Sequence, residues 1–104
     1  MIIQFNTDKN IKGTVSRTSP LTEMISDELS RFSDRISRIE VHLSDEDGSK
    51  KGQNDKRCLL EARLSGLQPI AVSNFGDTHE EAVSGAIDKL KASLETKLGR
   101  LEDR

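Results

Sequence analysis

Aromatic residues and cysteine are scarce in this chain, which has no tryptophan, no tyrosine, three phenylalanines and one cysteine in 104 residues. Proteins that read single-stranded RNA stack its bases on exposed aromatic rings. The pattern of apolar residues places Phe5 in a strand and Phe32 on an apolar helix face, so at most Phe75 is free for stacking. A base-stacking protein is therefore not expected. The single cysteine, Cys58, excludes an intrachain disulfide, which is typical of a reducing compartment.

Long apolar runs are also absent. No stretch approaches the roughly 18 apolar residues of a membrane-spanning helix. The segment Met1–Asn6 has neither the basic flank nor the long apolar run of a signal peptide. We therefore expect a cytoplasmic protein without a membrane partner.

The chain also lacks the residue sets of common catalytic and metal sites. Its two histidines and one cysteine have no metal-ligand spacing. Cys58 is in phase with the core-facing residues of its strand and His42 with the solvent-facing residues of its own, so the two do not form a nucleophile–base pair. The acidic run from Asp45 has Lys50 and Lys56 where a calcium loop needs glycine and glutamate. We expect a binding protein rather than an enzyme, with no catalytic residue, metal, cofactor or small-molecule substrate.

The apolar residues recur with the periods of regular secondary structure. Ile2–Asn6 is predicted to form a short strand and residues 7–18 a loop. Ser19 and Pro20 predict the start of a helix, because serine caps free amides and proline suits the first helical position. The apolar stripe of this helix consists of Leu21, Ile25, Leu29, Phe32 and Ile36.

From Ser37 the period changes to two, which predicts a half-buried strand. Residues 45–56 contain no apolar side chain and predict a hairpin loop. Two further strands are predicted, over residues 57–64 and over Gln68–Ser73. Asp77 and Glu80 then have the spacing of a capping box at the start of a second helix. Its apolar stripe consists of Val83, Ile87, Leu90, Leu94, Leu98 and Leu101.

The predicted element order is therefore β-α-β-β-β-α. Each later strand offers one apolar face and each helix one apolar stripe, and two helices on one face of a sheet bury all of these together. We expect an α/β (α+β) fold with a four-stranded, mainly antiparallel sheet, in a single domain over residues 1–104. The open face of the sheet then carries Arg38, Glu40, His42, Arg57, Glu61 and Arg63.

The positive charges are placed unevenly although the net charge is -2. On a helical wheel, Lys89, Lys97 and Arg100 fall within about 80° of one another, on one flank of the second apolar stripe. Arg31 and Arg35 cluster on the first predicted helix, with Arg38 beside them and Glu28 close by. Two interpretations stay open: a basic strip built from both helices, or ordinary solvated faces with ion pairs.

These residues together resemble a known family. The motifs that carry the resemblance are Asp34–Ile36 leading into Ile39–Leu43, Ala82–Leu90 in the last helix, the charged loop before Cys58, and the Gly76-Asp77 entry to that helix. Over nearly the whole chain they are similar to the ribosome hibernation-promoting and ribosome-associated inhibitor proteins, once labelled sigma-54 modulation proteins. The resemblance implies a short form, without the C-terminal extension of some members.

The resemblance implies a fold like the double-stranded-RNA-binding domain and a hibernation factor that inhibits translation under stress. It implies binding to the small ribosomal subunit through rRNA phosphates. Arg31, Arg35, Lys89 and Arg100 match basic family positions, and with Lys97 they are the predicted RNA-binding residues. Other positions where the family is basic hold Glu28, Ala92, Thr96 and Leu98. The alternative is a divergent domain of this fold that binds a protein partner without binding the ribosome.

Overall fold

The computed structural model describes residues 1–7, 14–45 and 56–102, and the side chains of residues 1–6, 20–45 and 56–99. Its elements follow the predicted order, with one short 3₁₀ turn added. They are β1 (Ile2–Thr7), α1 (Thr14–Glu28), the 3₁₀ turn (Ser30–Phe32), β2 (Ile36–Asp45), β3 (Lys56–Leu64), β4 (Ile70–Gly76) and α2 (His79–Glu102).

The four strands form one sheet in the order β1-β2-β3-β4. Strand β1 is parallel to β2, with Ile3 opposite Ile39, because α1 returns the chain to the same end of the sheet. The β2–β3 and β3–β4 pairs are antiparallel, with Val41 opposite Leu60 and Leu60 opposite Val72. The prediction of a mainly antiparallel sheet is therefore confirmed.

The core lies between the sheet and both helices. Alternate residues of β2 and β3 point to this side, including Ile39, Val41 and Leu60, which have no solvent exposure. Both predicted helical stripes meet them in one buried cluster. Its members on α1 and α2, together with Leu29 directly after α1, are Leu21, Ile25, Leu29, Ala82, Val83, Ala86, Ile87, Leu90, Leu94 and Leu98.

The opposite face of the sheet carries the predicted charged residues, paired with one another. Arg38 and Arg63 both contact Oε2 of Glu40, at 3.1 and 3.3 Å, and Arg63 also lies 3.4 Å from Glu61. Nε2 of His42 lies 3.9 Å from Glu40 Oε1. In this network each glutamate faces at least one arginine, so opposite charges on the open face compensate one another locally.

The first helix begins earlier than predicted. It starts at Thr14, so Pro20 lies inside the helix and the predicted loop over residues 7–18 is wrong at both ends. Residues 8–13 of that loop lie outside the described residues. Proline has a helical φ, but inside a helix it lacks the N–H that would bond to the Ser16 carbonyl, and its ring crowds that carbonyl. The helix nevertheless continues through Pro20 instead of starting there.

The first helix also ends earlier than its apolar stripe predicts. It stops at Glu28, the 3₁₀ turn follows, and Ile36 is the first residue of β2. The amide of Phe32 donates to the Leu29 carbonyl at 2.9 Å, and the amide of Arg35 donates to the Phe32 carbonyl at 2.9 Å. The tighter turn keeps Phe32 and Ile36 buried although neither is in the α-helix.

The later boundaries differ by a few residues. Strand β4 is Ile70–Gly76 rather than Gln68–Ser73, so Pro69 precedes the strand. The cap of α2 is shifted by one residue: the amide of Glu81 donates to Thr78 Oγ1, and the amide of Asp77 donates to Glu81 Oε2, both at 3.1 Å. Asp45 and Lys56 form an ion pair at the ends of β2 and β3, and residues 46–55 of the predicted hairpin loop lie outside the described residues.

Replacing either of two glycines of α2 by alanine is expected to change the free energy of unfolding, in opposite directions at the two positions. A Cβ at Gly85 would overlap the side chain of Asn74, which donates to the Phe75 and Ala82 carbonyls. A Cβ at Gly99 would meet no atom within 4 Å. Gly99→Ala should therefore raise the free energy of unfolding by up to about 1 kcal/mol through helix propensity. Gly85→Ala should lower it, and a urea melt in which Gly85→Ala is as stable as wild type would contradict the helix–strand contact.

Candidate nucleic-acid interface

Two of the predicted basic residues lie on the side of α2 that faces β4. Nζ of Lys89 donates to the Ser73 carbonyl and Nζ of Lys97 to the Gln68 carbonyl, each at 2.9 Å. These acceptors are neutral, so the contacts orient the ammonium groups without cancelling their charge. Each ammonium group has three N–H donors, which leaves two for another partner.

Two more lie at the other flank of α2, on the segment that follows α1. Arg31 belongs to the 3₁₀ turn and Arg35 comes just before β2. The prediction that both lie on the first α-helix is therefore wrong. Both line an open cavity of about 380 Å³, whose other lining residues are Phe32, Glu95, Leu98 and Gly99. The carbon at the centre of the Arg31 guanidinium lies 4.6 Å from the centre of the Phe32 ring.

Carboxylates neutralise part of this second flank. Arg31 Nη2 lies 2.9 Å from Glu95 Oε1, and Lys91 Nζ donates to Glu28 Oε1 at 2.9 Å. Both pairs connect α2 to the region of α1 and the 3₁₀ turn. Exposed pairs of this kind stabilise a fold by only about 0–1 kcal/mol. Their main effect is therefore on the local charge.

The structure thus separates the five predicted RNA-binding residues into two groups. Lys89 and Lys97 lie along β4, and Arg31 with Arg35 lies around the cavity. Arg100 is in the backbone of α2, and its side chain lies outside the described part of the chain. Arg38, which the sequence grouped with Arg31 and Arg35, belongs to the ionic network on the open face.

One residue of this interface was missed by sequence reasoning. Glu95 is on the flank of α2 opposite Lys97, and the helical wheel gives no indication of what faces it there. Only the packing of α2 beside the 3₁₀ turn brings its carboxylate to Arg31. On a helical wheel Glu95 shares its flank with Asp88 and Glu102, and this acidic flank is the one available signal, which does not name the partner.

The one cysteine of the chain, Cys58, lies in the core. Burial raises the pKa of the Cys58 thiol to about 12, although the neighbouring Arg57 lowers it somewhat. A neutral thiol in the core is a poor nucleophile. Among the described residues, no group of three histidine, cysteine, aspartate or glutamate side chains is placed to hold a metal ion. Within that same part of the chain, no helix is long and apolar enough to cross a membrane.

Comparison with known proteins gives a family and a fold. The family profile described as Sigma 54 modulation protein / S30EA ribosomal protein matches residues 10–104. The structure is similar to the Protein Y N-terminal domain of Thermus thermophilus, with a TM-score of 0.66, 19% identity and coverage of 92% of this chain and 98% of that one. It is also similar to a ribosomal subunit interface protein from Coxiella burnetii, with a TM-score of 0.65, 22% identity and full coverage of both chains. Among curated protein sequences, none matches.

Proposed function

Because the chain belongs to the Sigma 54 modulation protein / S30EA ribosomal protein family, we propose that it associates with the ribosome and inhibits translation as a hibernation factor. The proposed contact is with the small subunit, through phosphates of the rRNA. The proposed contact residues are Arg31, Arg35, Lys89, Lys97 and Arg100.

The observation that supports a contact with phosphate is the environment of the Lys89 and Lys97 ammonium groups. Their ammonium groups are held in place by neutral carbonyls and keep their full charge and spare donors. Phosphate contacts fix the position of a protein on RNA without reading its bases. This mode suits a chain in which Phe75, at 47% exposure, is the one phenylalanine ring of the described residues that is largely open to solvent.

The two groups of basic residues also suit a curved RNA surface. Phosphates that contact Lys89 and Lys97 lie beside β4, while those that contact Arg31 and Arg35 lie across α2. The protein would then be held on both flanks of one helix. A protein seated in this way on the small subunit, where messenger and transfer RNA bind, would block translation by occupancy alone and would need no catalytic group.

Sedimentation with purified ribosomal subunits tests this function. The protein should pellet with small subunits at 50 mM salt. With about five phosphate contacts, each contributing a slope of about -0.7 to -0.9, raising the salt to 200 mM should weaken binding by about 100- to 500-fold. Absence of pelleting at low salt, or pelleting with the large subunit alone, would contradict the proposal.

A protein partner is the second candidate. The observation that favours it is the neutralisation of Arg31 by Glu95 and of Lys91 by Glu28, which removes charge from the face that RNA would contact. This candidate predicts that wild-type protein stays in the supernatant at every salt concentration in the same sedimentation experiment. The two functions are therefore separated by one measurement.

A further inference from the structure

We propose that the cavity beside the 3₁₀ turn is a subsite for one RNA phosphate, and that Glu95 occupies it in the free protein as an internal competitor. The inference rests on the proposed function, since the phosphate belongs to ribosomal RNA. Binding then exchanges one anionic partner of Arg31 for another.

The geometry of the Arg31–Glu95 pair is that of an anion bound to an arginine. Glu95 Oε1 lies 2.9 Å from Nη2 of Arg31, which is the distance of a charge-assisted hydrogen bond. A phosphate oxygen uses the same donors at the same distance, since the guanidinium fork matches carboxylate and phosphate alike. The carboxylate therefore marks where a phosphate would sit.

The surroundings of Arg31 favour a single orientation of its guanidinium. Its plane is held near the ring of Phe32, 4.6 Å from the ring centre, and that ring is itself buried at 8% exposure. A guanidinium positioned over an aromatic face keeps its N–H groups directed sideways, away from the ring. In this structure those donors face the cavity and Glu95.

The cavity provides room for the exchange. Its volume is about 380 Å³, and Arg35 and Gly99 line it together with the pair. A Cβ at Gly99 would meet nothing within 4 Å, so among the described residues there is open space beside this glycine. A phosphate that enters beside Arg31 therefore comes near a second arginine and meets little steric resistance.

The exchange is also energetically accessible. The side chains of Arg31 and Glu95 are 58% and 55% exposed, and an ion pair as exposed as this is weak. The Lys91–Glu28 pair has the same 2.9 Å separation, but its lysine is only 27% exposed and neither residue lines the cavity. Of these two pairs, only Arg31–Glu95 has a space beside it that a phosphate can enter.

The test compares Glu95→Gln with Asp88→Asn in binding to small subunits. Asp88 is exposed, lies two helical turns from Glu95 on the same flank of α2, and its substitution changes the net charge equally. Freeing Arg31 from a weak exposed pair should tighten binding about two- to fivefold in E95Q, with D88N close to wild type. The salt slope of E95Q should stay close to that of wild type, because Arg31 contacts one phosphate in both complexes. Equal effects of the two substitutions would assign the gain to net charge and overturn the proposal.

A double-mutant cycle locates the effect at Arg31. In an Arg31→Gln background, Glu95→Gln should no longer tighten binding, because the competitor has lost the residue it competes for. A gain that persists in R31Q would overturn the proposal while leaving ribosome association intact. If none of these proteins pellets with subunits at low salt, the proposed function and the subsite fail together.

A titration with inorganic phosphate separates RNA from a free anion as the ligand. The NMR signal of the Arg31 Nε–H in free E95Q should change little at millimolar phosphate, since one isolated phosphate lacks the neighbouring contacts of an RNA strand. The same signal should shift when small subunits or a short double-stranded RNA is added. Saturation by submillimolar phosphate would indicate a free-anion site and overturn the assignment to RNA.

Discussion

Replacing Lys89 and Lys97 by glutamine is expected to weaken binding to small ribosomal subunits about a hundredfold, since a hydrogen bond to a charged group contributes about 1.5 kcal/mol and two are lost. The salt slope should become shallower by about 1.4–1.8, the value of two phosphate contacts. Glutamine retains an N–H group for the Ser73 and Gln68 carbonyls. The melting temperature should therefore change little, and sedimentation over a series of salt concentrations measures both quantities.

The matched control is Arg57→Gln with Arg63→Gln. This variant removes the same two positive charges, but from the open face of the sheet, where Arg57 lies near Phe75 and Arg63 pairs with Glu40 and Glu61. Its binding to small subunits should stay within a few-fold of wild type. If both double variants weaken binding equally, the effect comes from net charge, and the flank of α2 along β4 is not the contact surface.

Leu94→Ala is expected to lower the free energy of unfolding by about 2–5 kcal/mol. Leu94 has no solvent exposure and lies in the centre of the apolar stripe of α2, within the cluster that joins both helices to the sheet. Its truncation removes buried apolar atoms and leaves a cavity that the sheet and the helices fill only in part. Because domains of this size are stable by about 5–15 kcal/mol in total, the variant should lose a large share of its stability in urea melts.

Leu59→Ala is the control for this prediction. Leu59 is a leucine of the same volume in β3, but it is half-buried and lies on the open face opposite His42. Its truncation should cost less than half as much as that of Leu94. A loss below about 1 kcal/mol for Leu94→Ala would mean that α2 is not docked on the sheet.

The sheet and its two faces could be predicted from the sequence because side-chain direction alternates strictly along a strand. A slip of one residue in β2 would have buried Glu40 and His42 and exposed Ile39, so the pattern itself fixes which face meets the helices. The same argument placed Cys58 in the core. Element order and core composition were predictable for the same reason: each depends on spacing along one segment.

The start and end of α1 could not be predicted from that pattern. Proline suits the first position of a helix and costs stability in the interior, but a helix can continue through it. The sequence alone does not show which of the two positions Pro20 takes. Phe32 and Ile36 continue the helical spacing of Leu21 although the chain has left the α-helix. Burial of apolar side chains is satisfied by either geometry, so periodicity cannot choose between them.

The charge of the candidate interface was beyond sequence reasoning for a different reason. A helical wheel shows which residues of α2 share a flank, but the partners come from elsewhere in the chain: Lys91 meets Glu28, which is 63 positions away. Lys89 and Lys97 meet backbone carbonyls, which no pattern of side chains reveals. The sequence therefore located the basic residues without showing which of them are paired with a carboxylate.

The position of Lys89 has a consequence for self-association. Among the described strands, β4 has a neighbour on one side only, and such an edge can pair with a strand of another molecule. The Lys89 ammonium is bound to the Ser73 carbonyl of this strand, and positive charge at an edge opposes the approach of a second copy. The lysine that is proposed to contact RNA therefore also opposes pairing of this edge with a second copy. A hydrophobic substitution there would then favour aggregation.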